Sequence, residues 1–241
     1  MIKWSHKDEF KPYLKVAKNS NGKRFVISDI HGFYATFREL LLKINFTRQD
    51  QLFLLGDFID KGKKGKEVVD FVIELIENGY SIYPLRGNHE DMVLKSHYRK
   101  QGIATLVLPV LSKTRGIRDK ERNLYPKYLE FFEKLPYYYE LDDFFLVHAG
   151  FDFSKAEPFL DFTSMLWMTE VSIDDNYLKG KTVIHGHTKK KIEYIKESVA
   201  RKDRIIGLDN ATMIKNNHYG NLVCLDMDNY KLFIQPAIDE K

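Results

Sequence analysis

The sequence predicts an α/β fold: two β-sheets packed face to face, helices on the outside, and a small helical cap beside them. Three observations carry that expectation. The first ninety residues alternate short apolar runs with helical periods, the grammar of a parallel sheet covered by helices. The later half carries five more strand-like runs, several following one another without room for helices, which predicts a mostly antiparallel second layer. Of the 241 residues, 44% are apolar and 30% charged, enough for a packed core beneath a polar surface. The expectation is one domain over residues 1–241, with the cap at about 91–136.

Each element has its own pattern. Phe25-Val26-Ile27, with Arg24 and Ser28, reads as a buried strand. Phe33, Phe37, Leu40, Leu41 and Ile44 then recur at helical spacing. Leu52 to Leu55 is a second strand. Val68, Val69, Val72, Ile73, Leu75 and Ile76 form a second helix, which Asn78-Gly79 should end. Ile82 to Leu85 is a third strand. The stretch from Asp91 to Pro136 is rich in Lys and Arg and reads as the helices of the cap. Phe144–Val147, Thr182–Ile184, Arg204–Leu208, Leu222–Leu225 and Lys231–Ile234 are the later strands, and the aromatics at 137–139 read as core or strand.

Composition excludes several classes. Thirty-eight basic against 34 acidic residues leave a net charge of +4, too weak for a nucleic-acid surface. The single Cys224 excludes an internal disulfide and a Cys-based zinc cluster. No apolar run marks a signal peptide or a membrane span, so a cytoplasmic protein with no membrane or nucleic-acid partner is expected.

The chemistry gathers where strands end. The runs are Ser28-Asp29-Ile30-His31-Gly32, Gly56-Asp57-Phe58-Ile59-Asp60-Lys61-Gly62, Arg86-Gly87-Asn88-His89-Glu90, His148-Ala149-Gly150 and His185-Gly186-His187-Thr188. Ligands of α/β sheets bind beyond the carboxyl ends of strands. Asp29 and His31 alternate along an extended segment, so both should face one side. Carboxylates, imidazoles and an amide together suit Mn²⁺, Fe or Zn²⁺ better than Ca²⁺. A carboxylate shared by two cations would hold them about 3.5–4 Å apart, the spacing of two-metal phosphoester hydrolysis.

These five motifs resemble those of the calcineurin-like metallophosphoesterases, and within them the bacterial and phage serine/threonine phosphoprotein phosphatases. The resemblance spans about residues 22 to 235. It implies an αββα sandwich of two mixed sheets and two divalent metals, Mn²⁺ first with Fe or Zn²⁺ as alternatives. Asp29 and His31 would bind the first metal, Asp57 would bridge, and Asn88, His148 and His187 would complete the second. A hydroxide bridging the metals would attack phosphorus in line. His89 would protonate the leaving alkoxide, supported by Asp60. His185 is expected not to be a ligand.

Two positions depart from the pattern. Lys61 stands where the family usually has Arg, and Met168-Thr169 follow Leu166-Trp167 where a second Arg is usual. A lysine is a point charge without the planar fork of arginine. Lys61, Arg86 and Asn88 are the expected phosphate contacts, and the cluster Arg115, Arg118 and Arg122 is a further candidate clamp, although it reads more readily as a solvated face.

The leading function is a serine/threonine protein phosphatase acting on a phosphorylated protein or a small phosphorylated substrate. The alternative is a bis(5'-nucleosyl)-tetraphosphatase, a branch that tends to lack the Asp present here as Asp60. A metal-bound regulatory module with little turnover is supported only by the two missing arginines.

Overall fold

A computed structural model describes residues 10–98, 114, 116–121 and 123–240. The first sheet is built around β2 (Arg24–Ile27), β3 (Gln51–Leu54) and β4 (Ser81–Pro84), parallel neighbours with Phe25 beside Leu52 and Leu52 beside Ile82. Helices α1 (Tyr34–Lys43) and α2 (Gly65–Glu77) make the crossovers. Helix α2 ends as its sequence implies. Gly79 adopts φ 79°, its N–H donates to Ile76 O, and the Tyr80 N–H donates to Leu75 O.

The second sheet has the order β1 (Tyr13–Lys15), β5 (Tyr138–Glu140), β6 (Phe144–Val147), β7 (Thr182–His185), β8 (Ile205–Gly207). Alternation along the strands separates the layers. Val26, Phe53 and Tyr83 of the first sheet meet Tyr139, Leu146 and Ile184 of the second in an inner core. Phe25, Ile27, Leu52 and Leu54 face the other way, onto Phe37, Leu40, Val68 and Val72 of α1 and α2. Tyr138, Phe145 and Val183 pack outward on Met165, Leu166 and Leu178. Those three residues lie on α5 (Phe162–Trp167) and α6 (Asp175–Leu178). Two mixed sheets with helices on both outer faces result.

The second layer is not mostly antiparallel. β6 runs parallel to β7, and β7 to β8; β5 is antiparallel only to β6, and β1 is parallel to β5. Parallel neighbours need a crossover of a dozen residues or more. α5 and α6 supply one, and α7 (Ile192–Arg201) the other. α7 hides in a lysine-rich stretch, where Ile192, Ile195 and Val199 carry its apolar stripe. β9 (Asn221–Asp226) and β10 (Lys231–Pro236) leave the second layer altogether. β9 adds antiparallel to β2 and β10 antiparallel to β9, which completes the first sheet, order β10-β9-β2-β3-β4.

Of the expected cap, residues 99–113, 115 and 122 lie outside the described residues. The remainder includes α3 (Asn88–Tyr98) and α4 (Pro126–Lys134). Among the described residues, no helix is long and apolar enough to cross a membrane.

Candidate metal centre

Five strand ends converge. The loop after β3 lies over the loop after β2: Asp57 O accepts from the N–H groups of Ile30 and His31, and His31 O accepts from the Gly62 N–H. His31, Asp57, Asp60, Lys61 and His187 all take left-handed backbone conformations, with φ between 50° and 70°. Non-glycine residues rarely adopt that region, and five at one place mark a site whose surroundings hold it under strain. His31 therefore does not continue an extended segment from Asp29, contrary to the alternation expected from the sequence.

Asp57 is the centre. Its Oδ2 lies 3.6 Å from His31 Nε2 and 3.7 Å from His89 Nε2; its Oδ1 lies 3.6 Å from His148 Nε2. Two groups share it, His31-Asp57-His89 and Asp57-His148-His187, each with donor atoms within 4.8 Å of one another. Asn88 joins the second group, with Oδ1 2.8 Å from His148 Nε2 and 3.2 Å from His187 Nδ1. The sequence-predicted Asp57, Asn88, His148 and His187 are thus brought together. Asp29 is buried nearby but outside both groups, its two oxygens each 3.1 Å from the His187 N–H. Gly186 and Gly87 make the approach feasible: a Cβ would fall 2.2 Å from Asp29 Oδ2 at Gly186, and 2.1 Å from Asp57 Oδ1 at Gly87.

Protonation shows what these groups lack. Burial, then the charge of the neighbouring His187, holds His148 well below the usual imidazole range, so it is neutral. Its Nδ1 lies 2.8 Å from Leu55 O, which can only accept, so the single proton sits there. Nε2 is then a bare lone pair facing Asn88 Oδ1, another acceptor. His31 repeats the pattern. Burial and then His89 lower it to about 3, and Nδ1 donates to Ile59 O, which leaves Nε2 bare toward Asp57. Acceptors converging at one place repel one another unless a proton or a cation lies between them. Burial, followed by the charge of Glu90, pushes Asp57 well above the carboxylate range, and burial followed by Asp209 does the same to Asp29. The donor set fits divalent metal ions.

His89 Nδ1 lies 3.1 Å from Asp60 Oδ2, a close ion-pair approach that is off the line of a well-directed hydrogen bond. Burial opposes ionisation of Asp60, but His89, the Lys61 N–H and the Lys61 charge bring it down to about 2. Lys61 reaches the rim, 43% exposed, with Nζ 3.7 Å from Asp60 Oδ2. His185 is buried away from Asp57: its Nδ1 pairs with Gly186 O and its ring packs on Gly207.

The candidate arginines that the structure describes have contacts of their own. Arg86 donates to the Phe132 and Glu133 carbonyls at the end of α4 and to the Tyr137 hydroxyl. These bonds hold its two terminal nitrogens against the end of α4 and Tyr137. Arg118 is buried and donates to Val93 O and Ser96 Oγ of α3; Arg115 and Arg122 lie outside the described residues.

Two carboxylates have roles that the motifs do not reveal. Glu90 accepts from the N–H groups of Asp57, Phe58, Ile59 and Gly87, so it ties the loop after β3 to the end of β4. Its place beside His89 was the available signal. Asp209, raised by burial to about 6, adds charge next to Asp29. It lies two residues beyond strand β8, and the strand-end rule could have found it.

Comparisons with known proteins agree with this architecture. The calcineurin-like phosphoesterase family matches residues 23–210. The chain is 31% identical over 129 residues to the symmetrical bis(5'-nucleosyl)-tetraphosphatase of Vibrio parahaemolyticus, covering 52% of this chain and 44% of that one. It spans about half the length of the curated relatives it matches. A crystal structure described as a putative diadenosine tetraphosphatase superposes with a TM-score of 0.67 at 19% identity, covering 96% of this chain and all of that one (100%). A protein serine/threonine phosphatase from Saccharomyces cerevisiae gives 0.66 at 17% identity, covering 96% and 86%. At those identities the structures speak for the fold alone. The family match covers most of the chain and both sheets carry the motif-bearing strand ends, so the chain belongs to the calcineurin-like phosphoesterase family.

Proposed function

We propose that this protein is a metal-dependent hydrolase of phosphate monoesters, with phosphoserine or phosphothreonine in proteins as the leading substrate. The observation that carries this reading is the His89–Asp60 pair, 3.1 Å apart, with the far nitrogen of His89 facing Asp57. An alkoxide leaves poorly without a proton, whereas a phosphoanhydride releases a weakly basic phosphate and needs little help. Asp60 stays ionised and orients the His89 ring through Nδ1, so that Nε2 is the nitrogen available to pass a proton to the leaving group.

Asp29, His31 and Asp57 would hold one divalent ion, and Asp57, Asn88, His148 and His187 the other. Bound there, two such ions would acidify a water and offset the charge on phosphorus. The Leu55 and Ile59 carbonyls fix the imidazole tautomers of His148 and His31, leaving the Nε2 lone pairs free for this purpose. Lys61 would meet a phosphoryl oxygen from the rim.

A second reading, hydrolysis of dinucleoside tetraphosphates, is favoured by the names of the curated relatives. The two part in one assay. With Mn²⁺ present, a phosphothreonine peptide, diadenosine tetraphosphate and para-nitrophenyl phosphate are compared by kcat/KM. Preference for the peptide supports the leading reading, and preference for the dinucleotide replaces it with the second. No turnover of any substrate with Mn²⁺, Fe²⁺ or Zn²⁺ removes both.

A further inference from the structure

Trp167 is a large aromatic beside the metal centre that is only partly covered. Its helix α5 is firmly seated: Met165 and Leu166 are buried, and Asp161 caps the helix by accepting from the Ser164 N–H. The segment that follows is pinned over the fourth motif. Met168 and Val171 flank Gly150, and Met165 O accepts from the Ala149 N–H. The Trp167 indole stands edge-on to the His187 imidazole, with ring centroids 6.2 Å apart. Yet Trp167 remains 43% exposed. Leaving so much apolar ring in water forgoes favourable burial, and the rigid anchoring keeps the ring from collapsing onto the protein.

Lysines flank two of the segments that carry the centre. Lys189 and Lys191 are exposed just beyond His187, and Lys61, Lys63 and Lys64 are exposed on the loop after β3. The chain as a whole carries only +4.

We propose that Trp167 is a stacking platform for the nucleobase of a nucleoside polyphosphate, whose phosphate chain passes the metal centre and the lysine rim. This rests on the second reading above and names the residue that would recognise its substrate. A planar base stacks on an indole whatever its sequence identity, and several linked phosphates suit several separated ammonium groups better than a single clamp.

The test compares wild type with Trp167→Ala and Trp167→Phe in Mn²⁺, on diadenosine tetraphosphate and on glycerol 2-phosphate, which has no ring. The expected result is a KM for the dinucleotide raised about tenfold or more by alanine and largely restored by phenylalanine, within the range of base–aromatic stacking. The KM for glycerol 2-phosphate should move less than about twofold, which a merely structural role through His187 would not allow. Equal losses on both substrates, or no change on either, overturn the proposal. If the wild type does not cleave the dinucleotide, the second reading falls, and stacking is read separately by fluorescence with ADP and ribose 5-phosphate. The only other tryptophan is Trp4. Quenching by ADP alone, lost in Trp167→Phe, upholds the platform; no quenching by ADP overturns it.

Discussion

At the scale of single residues, the centre is an arrangement of lone pairs. Backbone carbonyls take the one proton of His31 and of His148, and burial keeps a second proton off. His89 differs, because a carboxylate rather than a carbonyl stands at its Nδ1. His89→Asn should therefore keep bound metal, measured by elemental analysis, and lose about 10²–10⁴-fold in kcat on an alkyl phosphate. Loss of metal would make His89 a ligand instead. Lys61→Arg should raise kcat/KM if gripping the phosphoryl group limits turnover, since the planar fork can bind two oxygens at once; an unchanged value would assign the grip elsewhere. The motif spacing made Asp57, Asn88, His148 and His187 legible. It could not show Glu90 holding four backbone N–H groups, because three of those donors belong to a loop some thirty residues away.

At the scale of elements, helix α1 shows a terminus whose partner is remote in sequence. Phe33 at its N-cap offers no side-chain acceptor. Asp239 supplies it, accepting from the Ala35 N–H at 3.0 Å, and from the Thr36 N–H and hydroxyl at 2.8 and 2.7 Å. A carboxylate at a helix N-terminus also meets the favourable end of the dipole. Asp239→Ala should cost about 0.5–2 kcal/mol in urea unfolding while leaving kcat/KM unaltered. Stability equal to wild type would show that water replaces the cap. The helical pattern of α1 was legible from Phe33 to Ile44; its cap was not, since a contact across 203 residues leaves no local trace.

At the scale of the whole molecule, two features join distant parts of the chain. Arg24 of β2 grips Asp228, with Nε at 2.9 Å and Nη2 at 2.7 Å from Oδ1. Burial works against the Asp228 charge, but Lys18 and Arg24 outweigh it and hold its pKa below the ordinary carboxylate value. A depressed folded-state pKa contributes stability that is complete above the unfolded value, about 3.9, and is lost as pH falls through the folded one. Asp228→Asn should flatten the acid limb of a stability–pH profile, measured by denaturation from pH 6 downward; an unchanged slope would assign that limb to other carboxylates. The second feature is the centre itself. His31 and Asp57 follow strands of one sheet, and His148 and His187 follow strands of the other. Metal would therefore tie the sheets together. Mn²⁺ at about one hundred times its Kd should add about 2.7 kcal/mol to unfolding, reversed by chelator; no shift would mean that the donors hold no ion.

The sequence by itself determined the α/β grammar of the first half, the strand ends and the residue types that converge there. Apolar period and glycine placement are local, and both are written in neighbouring residues. Only the tertiary structure decided that β9 and β10 join β2, that β6, β7 and β8 run parallel, and that His31, Asp57 and His187 turn through left-handed backbone. Strand partners are chosen by cores assembled from distant segments. Left-handed turns at non-glycine residues persist only where the surrounding loops over-determine them.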